Sequence, residues 1–351
     1  MKVVETKDNR SYVRQKTVTY SKAIIVSLTR LCRNKCGYCD YRDEKSNLTV
    51  PYQTIKVAKD AREQDCREAL FTAGERPDRY SVVRSTLDVW GFTSYIDYVN
   101  TICELTFLEG LLPTIDVGYL SMDELKHIRR ITASIRMMVD STDKSLLKKV
   151  SHQHSIGKDP ALRLEFIRNA GILKVPVTTG IMIGIGESKT ARKEALHAIR
   201  DIHKELGHIQ NVVIQEFVPG KKALMKGIKA PTTSDLLDTI ELAREILQPE
   251  IAITVHPKDK QNIINYIKAG ASDLGSLSEP YWPLINSIQS TLAKKGYELR
   301  KRLPIFESFI LNKWYSRKLG QIMDRYRLML KQDFDKREDV ISKVKPDLVL
   351  A

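Results

Sequence analysis

Cys32-Arg33-Asn34-Lys35-Cys36-Gly37-Tyr38-Cys39 follows closely on the apolar run Ala23-Ile24-Ile25-Val26-Ser27-Leu28. A strand that ends in a loop carrying three thiols brings them around one metal centre. Four thiolates close the usual coordination of a cubane iron–sulfur cluster. Three leave one iron open to a ligand that is not protein. The alternative, a structural zinc loop, needs a fourth ligand and usually a second Cys/His pair. Cys66 and Cys103 stand alone, and five cysteines without a secretory context do not suggest a disulfide framework. Cys32, Cys36 and Cys39 are therefore the expected metal ligands, and Cys66 and Cys103 are expected to be core thiols.

Outward from that loop, apolar runs alternate with amphipathic stretches, the pattern of a parallel sheet wrapped by helices. After the first run, strands are expected at 68–72, 111–117, 133–139, 175–183, 212–217, 251–255 and 271–274. Up to eight β/α units imply a TIM-type (β/α) barrel; a partial six-unit barrel with an added C-terminal layer is the nearest alternative. Ser121 with Glu124 reads as a capping box. Asp159-Pro160 opens a helix to Ala170, with Gly171 after its end. The expected organisation is an N-terminal extension (1–20), a barrel (21–280) and a mostly helical, basic C-terminal extension (281–351). The active site of such a barrel lies at the carboxyl ends of its strands.

The chain of 351 residues carries 57 Lys and Arg against 43 Asp and Glu, a net charge of +14. Half of that excess falls from Lys294 onward, where Trp314, Tyr315 and Tyr326 are interleaved. Such a tail could grip nucleic acid, but no RNA-binding motif accompanies it. A solvated helical appendage with its aromatics packed on the body is the expected reading. No apolar run approaches the ~20 residues of a membrane span, and a cytoplasmic location is expected.

The C-x3-C-x2-C run, with Tyr38 before its last cysteine, resembles the signature of radical S-adenosylmethionine (SAM) enzymes. In that family the open iron is chelated by the amino and carboxylate groups of SAM, so the resemblance implies a 4Fe–4S cluster and SAM as cofactors. Gly74-Glu75 after the second strand resembles the element that binds the methionyl amino group, with Ala73 in place of a first glycine. Asp140 is the candidate for the ribose, though it could equally cap the following helix. Gly184-Ile185-Gly186-Glu187 lacks the third glycine of a dinucleotide pattern and the lysine of a P-loop; in the family a glycine segment here contacts adenine. Tyr38 could offer that base an apolar contact. His152 and His154 read as part of a polar loop that could touch substrate.

A narrower resemblance, from about residue 20 to residue 220, is carried by the cysteine loop, by Arg67-Glu68-Ala69-Leu70-Phe71-Thr72 with Gly74-Glu75-Arg76-Pro77, by Thr178-Thr179-Gly180-Ile181, by Gly184-Ile185-Gly186-Glu187 and by Gly207-His208-Ile209-Gln210. Together these resemble the 7,8-didemethyl-8-hydroxy-5-deazariboflavin synthase family, in the form of a separate ring-closing subunit. The resemblance implies radical cyclisation of 5-amino-5-(4-hydroxybenzyl)-6-(D-ribitylimino)-5,6-dihydrouracil with loss of ammonia. It also implies a sister radical SAM subunit that makes this precursor from tyrosine, and an external one-electron donor of ferredoxin or flavodoxin type. Several segments depart from the family pattern: Pro113-Thr114-Ile115-Asp116, Arg136 to Asp140, Gln215-Glu216-Phe217 and Ser272 to Ser276. Asp116, Arg136, Gln215 and Asp273 are the substrate-side, catalytic candidates. A paralogue acting on another small molecule or on RNA is the alternative reading.

Overall fold

In a computed structural model, residues 16–257 and 262–332 are described. Eight parallel strands close on themselves: β1 (Thr17–Thr29), β2 (Glu68–Ala73), β3 (Leu112–Asp116), β4 (Ser134–Arg136), β5 (Val177–Ile183), β6 (Ile209–Glu216), β7 (Ala252–Thr254) and β8 (Asp273–Leu277). β1 pairs with both β2 and β8, so no edge is left open. All eight expected strands exist, and the closed barrel is the TIM-type form rather than the partial one. β5 is buried along its whole length, Val-Thr-Thr-Gly-Ile-Met-Ile, as a parallel strand covered on both faces requires.

Helix punctuation is local and follows the sequence. The helix Met122–Ile128 starts in a capping box, with Ser121 Oγ accepting from Glu124 N and the Glu124 carboxylate accepting from Ser121 N. Asp159 caps the helix Pro160–Ile172 by accepting from Ala161 N. Gly171, expected beyond that helix, lies inside it. A Cβ there would stand 2.6 Å from His208 Nδ1, so the glycine serves a close helix–strand approach, not a turn.

The C-terminal part is mostly helical (Trp282–Ala293, Glu307–Leu311, Arg317–Gln332) but contains a strand that the sequence pattern did not announce. β9 (Glu298–Lys301) pairs with the first four residues of β1. β1 itself begins at Thr17, inside the stretch expected as an N-terminal extension. The chain then runs under the barrel, where Gln210 Nε2 donates to Pro304 O (2.9 Å) and Gln210 Oε1 accepts from Phe306 N (3.2 Å). Trp314 packs edge-on to Phe309, and Tyr326 is buried. These aromatics belong to the body. The rest of the basic tail, 333–351, lies outside the described residues.

Candidate active site

Register and the two-residue period of a strand place alternate side chains inside the barrel. In-register pairs carry this interior face around the sheet: Ser27 with Thr72, Thr72 with Asp116, Arg136 with Thr178, and Met182 with Gln215. Ile25 and Ser27 face inward from the middle of β1 yet are exposed, Ile25 by 44%. An inward side chain can be that exposed only if the barrel is hollow at its carboxyl end. Asp116, Arg136, Met138, Gln215 and Ser276 line this hollow as half-buried side chains.

The cysteine loop lies over its mouth. Cys32, Cys36 and Cys39 are half-buried free thiols. Glu75 N donates to Cys32 Sγ at 3.2 Å. Burial raises the Cys32 pKa, while amides of Asn34 and Glu75 work the other way by favouring the thiolate. Gly74 is required by space: a Cβ would lie 2.0 Å from Leu31 O. Among the described residues no three His, Cys, Asp or Glu side chains converge on a single metal ion. Three thiols spread over one loop suit a cubane, where each binds a different iron, better than a zinc ion.

Around the thiols stands a set of cations that the sequence reading missed. Glu75, wholly buried, accepts from Arg33 Nε (2.8 Å) and pairs with Arg163 Nη2 (3.3 Å). Burial alone would raise its pKa, but Arg163 and then Arg33 outweigh that and hold it below the ordinary carboxylate range. Asp140 is buried at φ 61, a left-handed conformation that costs a non-glycine residue roughly 1–3 kcal/mol. Two backbone bonds to β5, Asp140 N to Gly180 O and Met182 N to Asp140 O, hold it there. Its carboxylate pairs with Lys158; burial opposes the charge, and Lys158 and Arg163 keep it ionised. One signal for Arg163 was legible: it occupies the buried stripe of its helix with Phe166, Ile167 and Ala170, where a charge needs a partner.

The remaining candidates separate by position. Tyr38 turns its hydroxyl toward His152 Nε2 (3.2 Å) and Asp140. His152 is buried behind it, not displayed on a polar loop, and burial pushes its imidazole down to about 4; His154 is exposed. Gly184 (φ 89) and Gly186 (φ 97) form a turn that only glycine adopts easily. Glu187 accepts from Gly184 N and Ile185 N and pairs with Arg192, so it braces that turn from behind. Asp273 is a correction. It begins β8, level with Thr19 near the start of β1, and is locked to Arg302, Thr19 and Thr254 at the far end of the barrel. Asp116, Arg136 and Gln215 stay together in the hollow. A recess of about 750 Å³, lined by Lys126, Arg129, Arg130, Arg317 and Lys318, lies between helices near that far end, away from the thiols.

A closed barrel with a three-thiol loop over its mouth defines a radical SAM fold. The profile described as the Radical SAM superfamily matches residues 26–199. The chain is 38% identical over 324 residues to the 7,8-didemethyl-8-hydroxy-5-deazariboflavin synthase of Methanosarcina barkeri, covering 88% of this chain and 97% of that one. It is 36% identical to the protein of that name from Archaeoglobus fulgidus, with 89% and 97% covered. Among solved structures, methylornithine synthase aligns with a TM-score of 0.63 at 16% identity over 81% of this chain and 84% of that one. A maturase of the [FeFe]-hydrogenase aligns at 0.68 and 14%, over 93% and 77%. These two bear on the fold alone. The chain belongs to the 7,8-didemethyl-8-hydroxy-5-deazariboflavin synthase family of radical SAM enzymes, whose cofactors are a 4Fe–4S cluster and SAM.

Proposed function

We propose that this enzyme closes the deazaflavin ring, converting 5-amino-5-(4-hydroxybenzyl)-6-(D-ribitylimino)-5,6-dihydrouracil into 7,8-didemethyl-8-hydroxy-5-deazariboflavin with loss of ammonia. The observation that carries this reading is 38% identity maintained over 97% of a relative of that name. The hollow suits the substrate: its half-buried acid, guanidinium and amide (Asp116, Arg136, Gln215) can meet the donors and acceptors of a dihydrouracil and a ribityl chain.

Cys32, Cys36 and Cys39 would hold the cluster, with one iron left for SAM. When bound, the pair supplies a 5′-deoxyadenosyl radical, and that hard chemistry belongs to the cofactor. The protein contributes placement and charge. Glu75 and Asp140 sit beside the thiol loop as acceptors for the amino and ribose groups of SAM, and Arg33, Arg163 and Lys158 keep both ionised. Gly184 and Gly186 give a flat base a close backbone surface beside Tyr38. Arg136 and Gln215 orient substrate, because reaction between bound partners depends on their alignment.

The precursor comes from a sister radical SAM subunit acting on tyrosine, and the electron from a ferredoxin or flavodoxin type donor. A reducing cytoplasm suits such a cluster, and no helix among the described residues is long and apolar enough to cross a membrane. The test is anaerobic reconstitution with SAM, reductant and the sister enzyme's product. A fluorescent deazaflavin and ammonia are expected. Steady SAM cleavage without deazaflavin would overturn the substrate.

A further inference from the structure

Asp116 differs from the other acids of the barrel. Glu75, Asp140 and Asp273 are each neutralised by a cation, and Glu68 accepts from Ser276 Oγ (3.0 Å). The Asp116 carboxyl has neither a hydrogen bond nor an ion pair within the described residues. It is the last residue of β3, faces inward and is half-buried, so its carboxyl is offered to the hollow.

Its position is a boundary. In register it lies beside Thr72, one residue before Ala73-Gly74-Glu75 on the cofactor side. Arg136 approaches it from β4, Arg163 from the helix Pro160–Ile172, Lys158 from the turn before that helix, and Asp140 from the segment after β4; Tyr41 is near on the loop after the cysteines. Charges of the SAM pocket therefore meet groups of the substrate hollow here, where a reacting atom has to sit.

We propose that Asp116 is the proton donor to the nitrogen that departs as ammonia, a role that rests on the ring-closing reading above. The C–N bond breaks with its electron pair going to nitrogen. The Asp116 carboxyl proton moves to that nitrogen, and ammonia leaves. The carboxylate then takes the proton that the ring carbon loses as the double bond forms, which restores the acid. The C–H electron pair becomes the new double bond and the C–N pair leaves on nitrogen, so the exchange is redox-neutral and needs no oxidant of its own. A general acid works best when its pKa lies near the operating pH, and a raised pKa moves a carboxyl in that direction. Burial raises the Asp116 pKa, and Arg136, Arg163 and Lys158 pull against that without cancelling it. Acids and bases in one site are told apart by environments that push their pKa values in opposite directions, and Glu75 and Asp140 are shifted down.

The test compares wild type with Asp116→Asn, which keeps the shape, and with Asp116→Glu. Two products are counted: 5′-deoxyadenosine for the radical step and deazaflavin for the whole reaction. In Asp116→Asn, deazaflavin formation is expected to fall at least tenfold while 5′-deoxyadenosine continues; Asp116→Glu is expected to recover part of the loss. The wild-type ratio of deazaflavin to 5′-deoxyadenosine should drop as pH rises through the raised pKa. Equal ratios in Asp116→Asn and wild type would overturn the role, as would a parallel fall of both products. Infrared difference spectra of the cluster-free protein give a second readout: a protonated carboxyl band at neutral pH, lost in Asp116→Asn, is expected, and its absence overturns the proposal. Failure of the substrate reading looks different, because wild type itself would then make no deazaflavin.

Discussion

The two ends of the barrel both bury carboxylates against arginine, yet they do different things with them. At the foot, Asp273 accepts from Arg302 Nε (2.8 Å) and Nη2 (2.9 Å), from Thr19 (2.6 Å) and from Thr254 (2.8 Å), and the chain from Leu303 to Phe306 closes the barrel from below. At the mouth, Glu75 and Asp140 are paired as firmly, but they border a hollow where the Asp116 carboxyl has no partner among the described residues and Arg136 is half-exposed. Both ends hold carboxylates shifted down by cations. A buried ion pair therefore does not mark a site by itself. What marks the mouth is charge that is preorganised and still reachable.

The sharpest way to break this contrast is at the thiols. Alanine at Cys32, Cys36 and Cys39 should lower iron from about four atoms per chain to near none and abolish SAM cleavage. Serine at Cys66 or Cys103 should leave iron unchanged, because both are buried core thiols whose protons burial stabilises, Cys66 to about 12. Iron retained by the triple variant would remove the cluster from the loop; iron lost with either serine would show that a core thiol is a ligand.

Next in size is an exchange between the two ends. Asp273→Ala leaves Arg302 buried without its carboxylate, which typically costs about 3–5 kcal/mol. Denaturant unfolding of the cluster-free protein should show it, with iron uptake intact in the protein that remains folded. The carboxyl is depressed in the fold, so its contribution is present above an ordinary carboxylate pKa of ~3.9 and fades only in stronger acid. Arg33→Met at the mouth leaves Glu75 with Arg163 and should cost about 1–3 kcal/mol, while weakening SAM binding, read by equilibrium dialysis. A larger loss of stability at the mouth than at the foot would reverse the assignment.

The most gradual effect is a pH slope set at the foot. His208 is fully buried, its Nε2 lies 2.8 Å from Ile167 O, and burial pushes it down to about 4. The folded imidazole stays neutral while the unfolded one takes a proton below ~6.5. Its share of stability is whole above that pH and is lost toward pH 4, at up to about 1.4 kcal/mol per pH unit. His208→Gln should flatten that part of the profile; an unchanged slope would assign it elsewhere, for instance to His203, which is also shifted down.

Family-like segments divide the same way. Gly207-His208-Ile209-Gln210 carries the family resemblance along with the thiol loop, yet it serves the foot: Gly207 ends a helix at φ 66, His208 packs on Gly171, and Gln210 holds the chain under the barrel. Glu187, read as a cofactor contact, braces its own turn. A motif records that a residue type is needed, and the need can be for folding as readily as for chemistry.

Sequence by itself determined the eight strands, the caps at Ser121 and Asp159, the thiol loop and the family, because each is written in neighbouring residues or in a period of 2 or 3.6. β9 was hidden because four residues, Glu-Leu-Arg-Lys, carry too little pattern to read as a strand, and only pairing with β1 makes them one. Asp273 stood in a plausible strand, but which end of that strand it occupies depends on register with Thr19, more than 250 positions away. The cations over the thiols and the lone acid at Asp116 were likewise decided by tertiary structure. An ion pair, or the want of one, is a distance between residues far apart in the chain, and only the closed barrel sets that distance.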